Sequence, residues 1–172
     1  IMKRILLIIV TFIFCSNSNA LNIELNFKDG SSIPKENACK KMGGEDISIT
    51  VEFKNIPDEA KSLAIIIDDP DAKSVAGKTW VHWIVVDIPV SNTKLNPTKK
   101  GKVGVGLSGK NSSGRKGYQG MCPPNGKHIY RIKGYALSDF IKKKPKTLTI
   151  ERFEKKHGNL ILESNLKKGS FE

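Results

Sequence analysis

The chain is organised around residues 62–89, SLAIIIDDPDAKSVAGKTWVHWIVVDIP, in which two apolar runs flank a loop that carries three aspartates. The first run, residues 62–67, is short and continuously apolar, which is typical of a strand buried on both faces. The second run, residues 80–88, is rich in Val, Ile and Trp, which favour strands. If the two runs pair as a hairpin, the end of the first lies beside the start of the second. The pattern therefore predicts a cluster of polar side chains at one edge of an otherwise apolar sheet.

The aspartates of this loop are the first candidates for chemistry. Asp68, Asp69 and Asp71 surround Pro70. An Asx turn, in which a carboxylate accepts hydrogen bonds from backbone N–H groups, explains one of the three. Because three acids in four residues repel one another, a turn alone does not explain them all. The predicted hairpin places Asp69 and Asp71 next to the start of the second run.

Trp80 and His82 begin that second run, and strand alternation places His82 on the same face as Ile84 and Val86. A buried histidine in such a position is more often a core residue than a ligand-binding group. An aspartate nearby changes that balance, because a carboxylate fixes the tautomer and favours the imidazolium, which binds anions. His82 is therefore a candidate binding residue as well as a candidate core residue.

The rest of the chain predicts mostly strands. His128 and Tyr130 share one face of a strand at residues 128–136, whereas His157 is interpreted only as a partner of a helix dipole. The only convincing helix spans residues 147–157, with Thr147 as its N-cap and Gly158 at its end. Further strands are predicted at residues 21–27, 47–53 and 159–166. This order predicts a mainly β fold of antiparallel sheets in a sandwich-like single domain with a C-terminal helix.

The N-terminus has the pattern of a secretory signal peptide. Lys3 and Arg4 precede an apolar segment at residues 5–14, and Ser18-Asn19-Ala20 forms a small-x-small cleavage site. The apolar segment is shorter than the ~20 residues that span a membrane. We therefore predict a signal peptide at residues 1–20, a mature domain at residues 21–172 without a transmembrane segment, and export to the periplasm or the exterior.

The net charge indicates the class of binding partner, and the cysteines leave two possible redox states open. The formal net charge is +12, from 29 Lys and Arg against 17 Asp and Glu, so anionic partners are favoured. Because no basic helix face or arm with interleaved aromatic residues is present, no nucleic-acid partner is predicted. After removal of the signal peptide, Cys39 and Cys122 remain, and either a disulfide or two reduced buried thiols fit the sequence.

Enzyme motifs are not found in the sequence. Ser108, in Gly-Leu-Ser-Gly, is the nearest imitation of a Gly-x-Ser-x-Gly elbow, but no helix is predicted after it. There is no phosphate-binding P-loop and no dinucleotide fingerprint after a strand. Two histidines and a carboxylate could bind a metal, but the spacing of zinc motifs is missing. The sequence predicts neither an enzyme nor a cofactor or metal site.

Two signatures carry a resemblance to a known family. The first is Asp69-Pro70-Asp71-Ala72, followed by Trp80, His82-Trp83 and Ile88-Pro89. The second is Gly114-x-x-x-Tyr118-x-Gly120-x-x-Pro123-Pro124-x-Gly126-x-His128-x-Tyr130, followed by Tyr135-Ala136-Leu137. On both, the chain resembles the phosphatidylethanolamine-binding protein family, in its bacterial branch, which is often called Raf-kinase-inhibitor-like.

The resemblance implies a small pocket at one end of the sheets that binds anions such as phosphate, acetate or a phospholipid headgroup. Carried over residue by residue, it implies a lining of Asp69, Trp80, His82, Cys122, Pro123, Pro124, His128 and Tyr130, with Asp71 supporting the loop. It also implies that the strand at His128 lies close to His82. The family is regarded as a binding and regulatory family, which inhibits kinases or proteases in eukaryotes.

Two departures from the family pattern lie at the pocket rim. Lys73 stands where the family often has Pro, and Met121 precedes the cysteine where many bacterial members have Pro. We therefore expect a looser and more basic rim. The sequence predicts an exported, non-enzymatic binding protein with a small anion pocket. The alternative is a protein-interaction module, such as a protease or kinase inhibitor, that acts through lysine-rich loops containing Lys99, Lys100 and Lys102.

Overall fold

The computed structural model describes residues 20–172. All of the predicted signal peptide except Ala20 therefore lies outside the described residues, and the signal peptide and the mature-domain boundary remain predictions. None of the helices within residues 20–172 has the length and apolar character that a membrane crossing requires.

Eight strands and two α-helices form the fold over residues 20–172. The strands are β1 (Asn22–Leu25), β2 (Val51–Lys54), β3 (Ser62–Asp69), β4 (Trp80–Pro89), β5 (Lys94–Leu95), β6 (Leu107–Ser108), β7 (His128–Leu137) and β8 (Ile161–Phe171). The helices are α1 (Lys73–Ala76) and α2 (Ile150–His157), and short 3₁₀ turns occur at Lys35–Asn37, Lys40–Met42 and Gly158–Leu160.

These strands form two antiparallel sheets. The larger sheet has the order β6-β4-β3-β7-β8, and the smaller sheet has the order β1-β2-β5. The hairpin predicted from residues 62–89 is β3 paired with β4, with Asp69 opposite Trp80. The predicted fold, antiparallel sheets in a single domain with a C-terminal helix, is confirmed.

Strand β3 is buried on both faces because each face contacts a different apolar layer. Ile65 and Ile67 belong to the core between the two sheets, whereas Ala64 and Ile66 belong to a second core that contains Phe153 of α2. Full burial of one such isoleucine contributes about 1.5–3 kcal/mol. The continuous apolar run at residues 62–67 is thus explained by a sheet covered on both sides.

The helix begins later than predicted. Thr149 caps it by accepting a hydrogen bond from the Arg152 backbone N–H at 3.4 Å. The hydroxyl of Thr147 instead donates to the Lys110 carbonyl at 3.0 Å, so the prediction that Thr147 is the N-cap is wrong. The strand predicted at residues 159–166 runs on to Phe171 because β7 offers a partner along that whole length. The first two predicted strands are shorter, because β1 and β2 pair only over four residues.

A β-bulge at His82 changes the alternation of β4. Ile67 pairs with Trp83, but the next residue, Asp68, pairs with Val81, so His82 is the extra residue on β4. Val81, with Ile84 and Val86, faces the α2 core. His82 lies on the other side of the sheet. The prediction that His82 shares a face with Ile84 and Val86 is therefore wrong, because the bulge shifts the alternation by one residue.

Candidate functional site

A pocket of about 500 Å³ opens where β3 ends and where β4 and β7 begin. Its lining consists of Asp69, Ala72, Val75, Ala76, Trp80, His82, Gln119, Cys122, Pro123, Pro124, Asn125, His128 and Tyr130. Eight of the nine ligand-binding residues predicted from the sequence are among them. Asp71 does not line the pocket.

Asp69 holds both the loop and a histidine. One carboxylate oxygen accepts from the backbone N–H groups of Asp71 and Ala72, at 2.9 and 3.1 Å, which is an Asx turn. The other oxygen accepts from Nδ1 of His128 at 2.7 Å. Both side chains are buried. The same carboxylate therefore closes the Asx turn and orients the His128 ring.

His82 is fixed by a backbone carbonyl. Its Nδ1 lies 2.9 Å from the Gln119 oxygen, and because a carbonyl only accepts, Nδ1 carries a proton. Burial lowers the pKa of His82; the Gln119 carbonyl and the charge of Asp69 oppose this, and His128 adds to it. The ring is therefore neutral near pH 7. Nε2 of neither His82 nor His128 takes part in a hydrogen bond within residues 20–172.

Tyr130 lies between the two imidazoles. Its ring centroid is 5.2 Å from that of His82 and 6.4 Å from that of His128. Burial, with the charges of Asp69 and Asp71, raises the pKa of Tyr130. The hydroxyl therefore keeps its proton and has no hydrogen-bond partner among the described residues. A buried donor without a partner costs about 1–3 kcal/mol, so this group is available to a ligand.

Gln119 organises the opposite wall, although sequence reasoning missed it. Its side-chain oxygen accepts from Nε1 of Trp80 at 3.0 Å, and its backbone carbonyl holds His82. Lys78 places its ammonium 5.4 Å from the centre of the Trp80 ring. Gln119 occupies an unspecified position of the second signature, between Tyr118 and Gly120, so the motif gave no signal for it.

Asp71 supports the loop from outside the pocket. Its carboxylate accepts from the Ile129 backbone N–H at 2.8 Å, which ties the loop after β3 to the start of β7. Val75 and Ala76, which the sequence left within an undivided loop, lie on α1 and form part of the pocket wall. The loop is thus held at the site by a carboxylate, and it contributes apolar side chains to the lining.

Cys39 and Cys122 form a disulfide across 83 residues, with their Cα atoms 5.5 Å apart. Of the two alternatives that the sequence left open, the structure has the bridged one. The Cys39 backbone N–H also donates to the Met121 carbonyl at 2.9 Å. The pocket wall that carries Cys122, Pro123 and Pro124 is therefore linked covalently to the loop at Cys39.

The arrangement provides donors inside an apolar cavity. Two imidazoles and one phenol meet at the pocket, and prolines, alanines and a valine form much of the surrounding wall. Such a set suits an oxyanion: the Tyr130 hydroxyl donates as it stands, and Nε2 of each histidine, whose Nδ1 already carries a proton, donates when the ring is an imidazolium. Within residues 20–172, no group of three or more His, Cys, Asp and Glu side chains is arranged to hold a metal ion.

The chain is similar to known proteins over most of its length. Residues 24–172 match the family model described as phosphatidylethanolamine-binding protein. A UPF0098 protein of Methanothermobacter thermautotrophicus is 38% identical over 143 residues, which cover 81% of this chain and 91% of the relative. A UPF0098 protein of Chlamydia muridarum is 33% identical over 148 residues, with 85% and 94% coverage.

Solved structures have the same fold. The crystal structure of a phosphatidylethanolamine-binding protein homolog from Chlamydia trachomatis has a TM-score of 0.77 and 30% identity, and the match covers 90% of this chain and 99% of that one. E. coli YbcL, described as a member of the mammalian PEBP family, has a TM-score of 0.76 at 23% identity, with 88% and 98% coverage. The second likeness bears on the fold alone.

Proposed function

The chain belongs to the phosphatidylethanolamine-binding protein family, and from that premise and the pocket geometry we propose that it binds a small anion. The family match over residues 24–172 confirms the resemblance seen in the two signatures. The ligand class is a phosphate, a phospholipid headgroup or a carboxylate. The pocket of His82, His128 and Tyr130 is hereafter called the anion pocket.

One observation carries this proposal: three side chains that each have a hydrogen-bonding atom without a protein partner line the same cavity. Nε2 of His82, Nε2 of His128 and the hydroxyl of Tyr130 have no partner among the described residues, although the rest of each side chain is fixed. Buried polar groups are normally paired. An oxyanion supplies an acceptor for the Tyr130 hydroxyl and for Nε2 of each imidazole in its protonated form.

The walls strengthen such binding. Trp80, Pro123 and Pro124 line the pocket beside the donors and exclude water from part of it. In a low-dielectric site a charge-assisted hydrogen bond is stronger than in water. The apolar lining also leaves space for the carbon atoms that an esterified phosphate or a carboxylate carries.

Binding is coupled to a proton. His82 is neutral near pH 7 because burial lowers its pKa, whereas an anion stabilises the imidazolium form. An anion that carries no proton therefore binds together with one proton taken up from solvent. Affinity rises as the pH falls, until His82 of the anion-free protein is itself protonated and no further proton is taken up on binding.

The proposal includes a binding role rather than catalysis. The pocket lining holds no serine or threonine, and Cys122 is engaged in the disulfide. Tyr130 is a poor nucleophile because its pKa is raised by burial. Turnover of a phosphoester or ester panel above the level of a His82→Ala control would contradict this part of the proposal.

Export is a further part of the proposal. A disulfide between Cys39 and Cys122 supports it, because such bonds persist in oxidising compartments. Expression of the full chain with fractionation and N-terminal sequencing tests it. We expect a processed protein that begins at Leu21 in the exported fraction, and an unprocessed cytosolic protein with reduced thiols would contradict it.

Calorimetric titration with sulfate, which does not titrate in the working range, tests the pocket. We expect His82→Ala and His128→Ala each to weaken binding at least about tenfold, since each removes a charge-assisted hydrogen bond worth about 1.5–3 kcal/mol. His157→Ala is the matched control, because His157 lies on α2 outside the pocket. Unchanged affinity in both pocket variants, with folding verified by circular dichroism, would contradict the proposal.

The alternative, an interaction module that acts through Lys99, Lys100 and Lys102, makes the opposite prediction. Partner capture would then be lost on neutralising these exposed lysines and kept in the His82 and His128 variants. The same variants used for sulfate therefore separate the two functions.

A further inference from the structure

A second concave surface, away from the anion pocket, is lined by lysines. Two adjoining cavities of about 540 and 410 Å³ share Ser108 and Lys116 as lining residues. Together they are lined by six lysines, all exposed: Lys100, Lys102, Lys110, Lys116, Lys144 and Lys146. We call this surface the lysine groove, and none of its lining residues belongs to the anion pocket.

Three loop segments are tied together to form the lysine groove. The Tyr118 backbone N–H donates to the Lys100 carbonyl at 2.8 Å, and the Thr147 hydroxyl donates to the Lys110 carbonyl at 3.0 Å. Gly117 has a φ of 96°, and a Cβ there would lie 2.3 Å from the Lys100 carbonyl oxygen. A Cβ at Gly109 would lie 2.7 Å from the carbonyl oxygen of Pro145. The close backbone contacts fix the spacing of the lysines.

The charge of the lysine groove is uncompensated. No acidic residue lines either cavity, and within residues 20–172 no carboxylate lies within 4.0 Å of any of the six ammonium groups. Lys110 and Lys116 are paired directly across an isolated antiparallel bridge. Like charges in such a pair destabilise a fold. Elsewhere on the surface, by contrast, Lys133 pairs with Glu154 at 2.5 Å.

A buried hydroxyl gives a second, independent indication of a ligand. Ser108 is only 7% exposed, and its hydroxyl has no hydrogen-bond partner among the described residues. The same serine lines both cavities of the lysine groove. An anion held by the surrounding ammonium groups would supply the acceptor that this hydroxyl lacks.

We propose that the lysine groove binds a linear, phosphate-bearing polymer. Lysine binds phosphate as a point charge on a flexible side chain. Six lysines in one groove can therefore contact successive phosphates of a chain without requiring an exact spacing between them. No arginine and no aromatic side chain lines the groove, so base stacking, which single-stranded nucleic acids use, is not provided.

The test uses inorganic polyphosphate as the probe, with binding followed by fluorescence anisotropy at several salt concentrations. The fourfold variant Lys100→Gln, Lys110→Gln, Lys116→Gln and Lys144→Gln is compared with a control that changes four exposed lysines elsewhere, Lys28, Lys41, Lys61 and Lys155, to Gln. The two variants have the same net charge. We expect at least about tenfold weaker binding in the groove variant and less than about twofold in the control, since each exposed charge pair contributes about 0.2–1 kcal/mol.

Equal weakening in the two variants would overturn the proposal, because net charge alone would then explain binding. Preference for duplex DNA, or for vesicles of anionic phospholipid, over polyphosphate would also overturn it. Ser108→Ala gives a finer test. If its hydroxyl contacts the polymer, we expect about threefold weaker binding with unchanged thermal stability, and unchanged binding would contradict its assigned contact.

The anion pocket provides an internal control. His82→Ala should leave polyphosphate binding at the lysine groove unchanged, while it weakens sulfate binding at the pocket. Loss of polyphosphate binding in His82→Ala would overturn a separate groove site and leave the pocket proposal standing.

Discussion

Asp68 and Asp69 are neighbours on β3, yet they lie in two regions with different roles. Asp68 faces the α2 side of the sheet, where it accepts from Nε and a terminal nitrogen of Arg131 at 2.8 and 2.9 Å and from the Ile150 backbone N–H at 3.0 Å. Asp69 faces the anion pocket and holds His128. Both carboxylates are buried.

The two carboxylates differ in whether their partners, Arg131 and His128, have a nitrogen that is not already engaged by the protein. Arg131 uses its remaining terminal nitrogen on Glu151 at 2.6 Å, so both ends of that guanidinium are neutralised by carboxylates. The hydrogen bond to Arg131 lowers the pKa of Glu151 to about 2. His128 instead keeps Nε2 free beside a cavity. The partner of Asp68 is thus saturated by carboxylates, whereas the partner of Asp69 has a ring nitrogen left over that the proposed ligand could contact.

Removal of Asp68 should have the largest effect on stability. Asp68→Ala leaves Arg131 partly buried with one carboxylate fewer, and breaking such a pair costs about 3–5 kcal/mol. Because Glu151 still pairs with Arg131, we expect about 3 kcal/mol lower unfolding free energy in urea. Sulfate affinity of the folded fraction should stay within about twofold of wild type.

Glu151→Gln is the matched control on the same network. The Glu151 side chain is 61% exposed, so its ion pair contributes only about 0–1 kcal/mol. A loss as large as that of Asp68→Ala, or a loss of sulfate affinity in either variant, would show that the two regions are not separate.

Asp69→Asn should reduce sulfate affinity more than stability, which is the opposite of what we expect for Asp68→Ala. The amide keeps much of the Asx turn but removes the charged oxygen that accepts from Nδ1 of His128 and orients its ring. We expect sulfate affinity to fall about tenfold, which corresponds to about 1.4 kcal/mol, and stability to fall by less than in Asp68→Ala. Calorimetry and urea unfolding on the same samples check both. Wild-type affinity in this variant would show that Asp69 serves the turn alone.

The effect of pH should be smaller and should depend on the anion. Burial lowers the pKa of His82 below its ordinary value of 6.5, so the unfolded chain binds more protons between those two values. Without anion, the unfolding free energy should therefore fall as the pH drops below about 6.5. Saturating sulfate should reduce this loss, because it stabilises the imidazolium.

Urea unfolding at about pH 7.5 and about pH 5, with and without sulfate, measures this linkage. Burial also lowers the pKa of His157, so His157→Gln removes that contribution and leaves the part due to His82. We expect the sulfate-dependent part to disappear in His82→Ala and to persist in His157→Gln. The reverse pattern would contradict it.

The features that were predicted correctly from the sequence are those that depend on local patterns of apolar and polar residues. The apolar run before Asp69 required a strand covered on both faces, and the hairpin placed Asp69 opposite Trp80, as the structure has it. Alternation at residues 128–136 correctly grouped His128 with Tyr130 on one face, which the structure shows to be buried.

Features that depend on tertiary contacts could not be predicted from local sequence patterns. The bulge at His82 leaves no residue signature, yet it turns that side chain to the pocket side of the sheet. Gln119 acts chiefly through a backbone carbonyl, which any residue has. The convergence of His82 and His128 followed only from the family resemblance, because no local spacing fixes a distance between two strands 46 positions apart in the chain.

Titration of the ring resonances by NMR tests directly whether His82 and His128 form one anion site. The protein would be titrated with phosphate and with phosphoethanolamine, and His157 would serve as the reference ring. We predict that His82 and His128 shift together along one saturable curve while His157 stays unchanged. If neither ring moves up to about tens of millimolar, a range weaker than the ~1 mM that corresponds to about −4.1 kcal/mol, the pocket is structural and the account is contradicted.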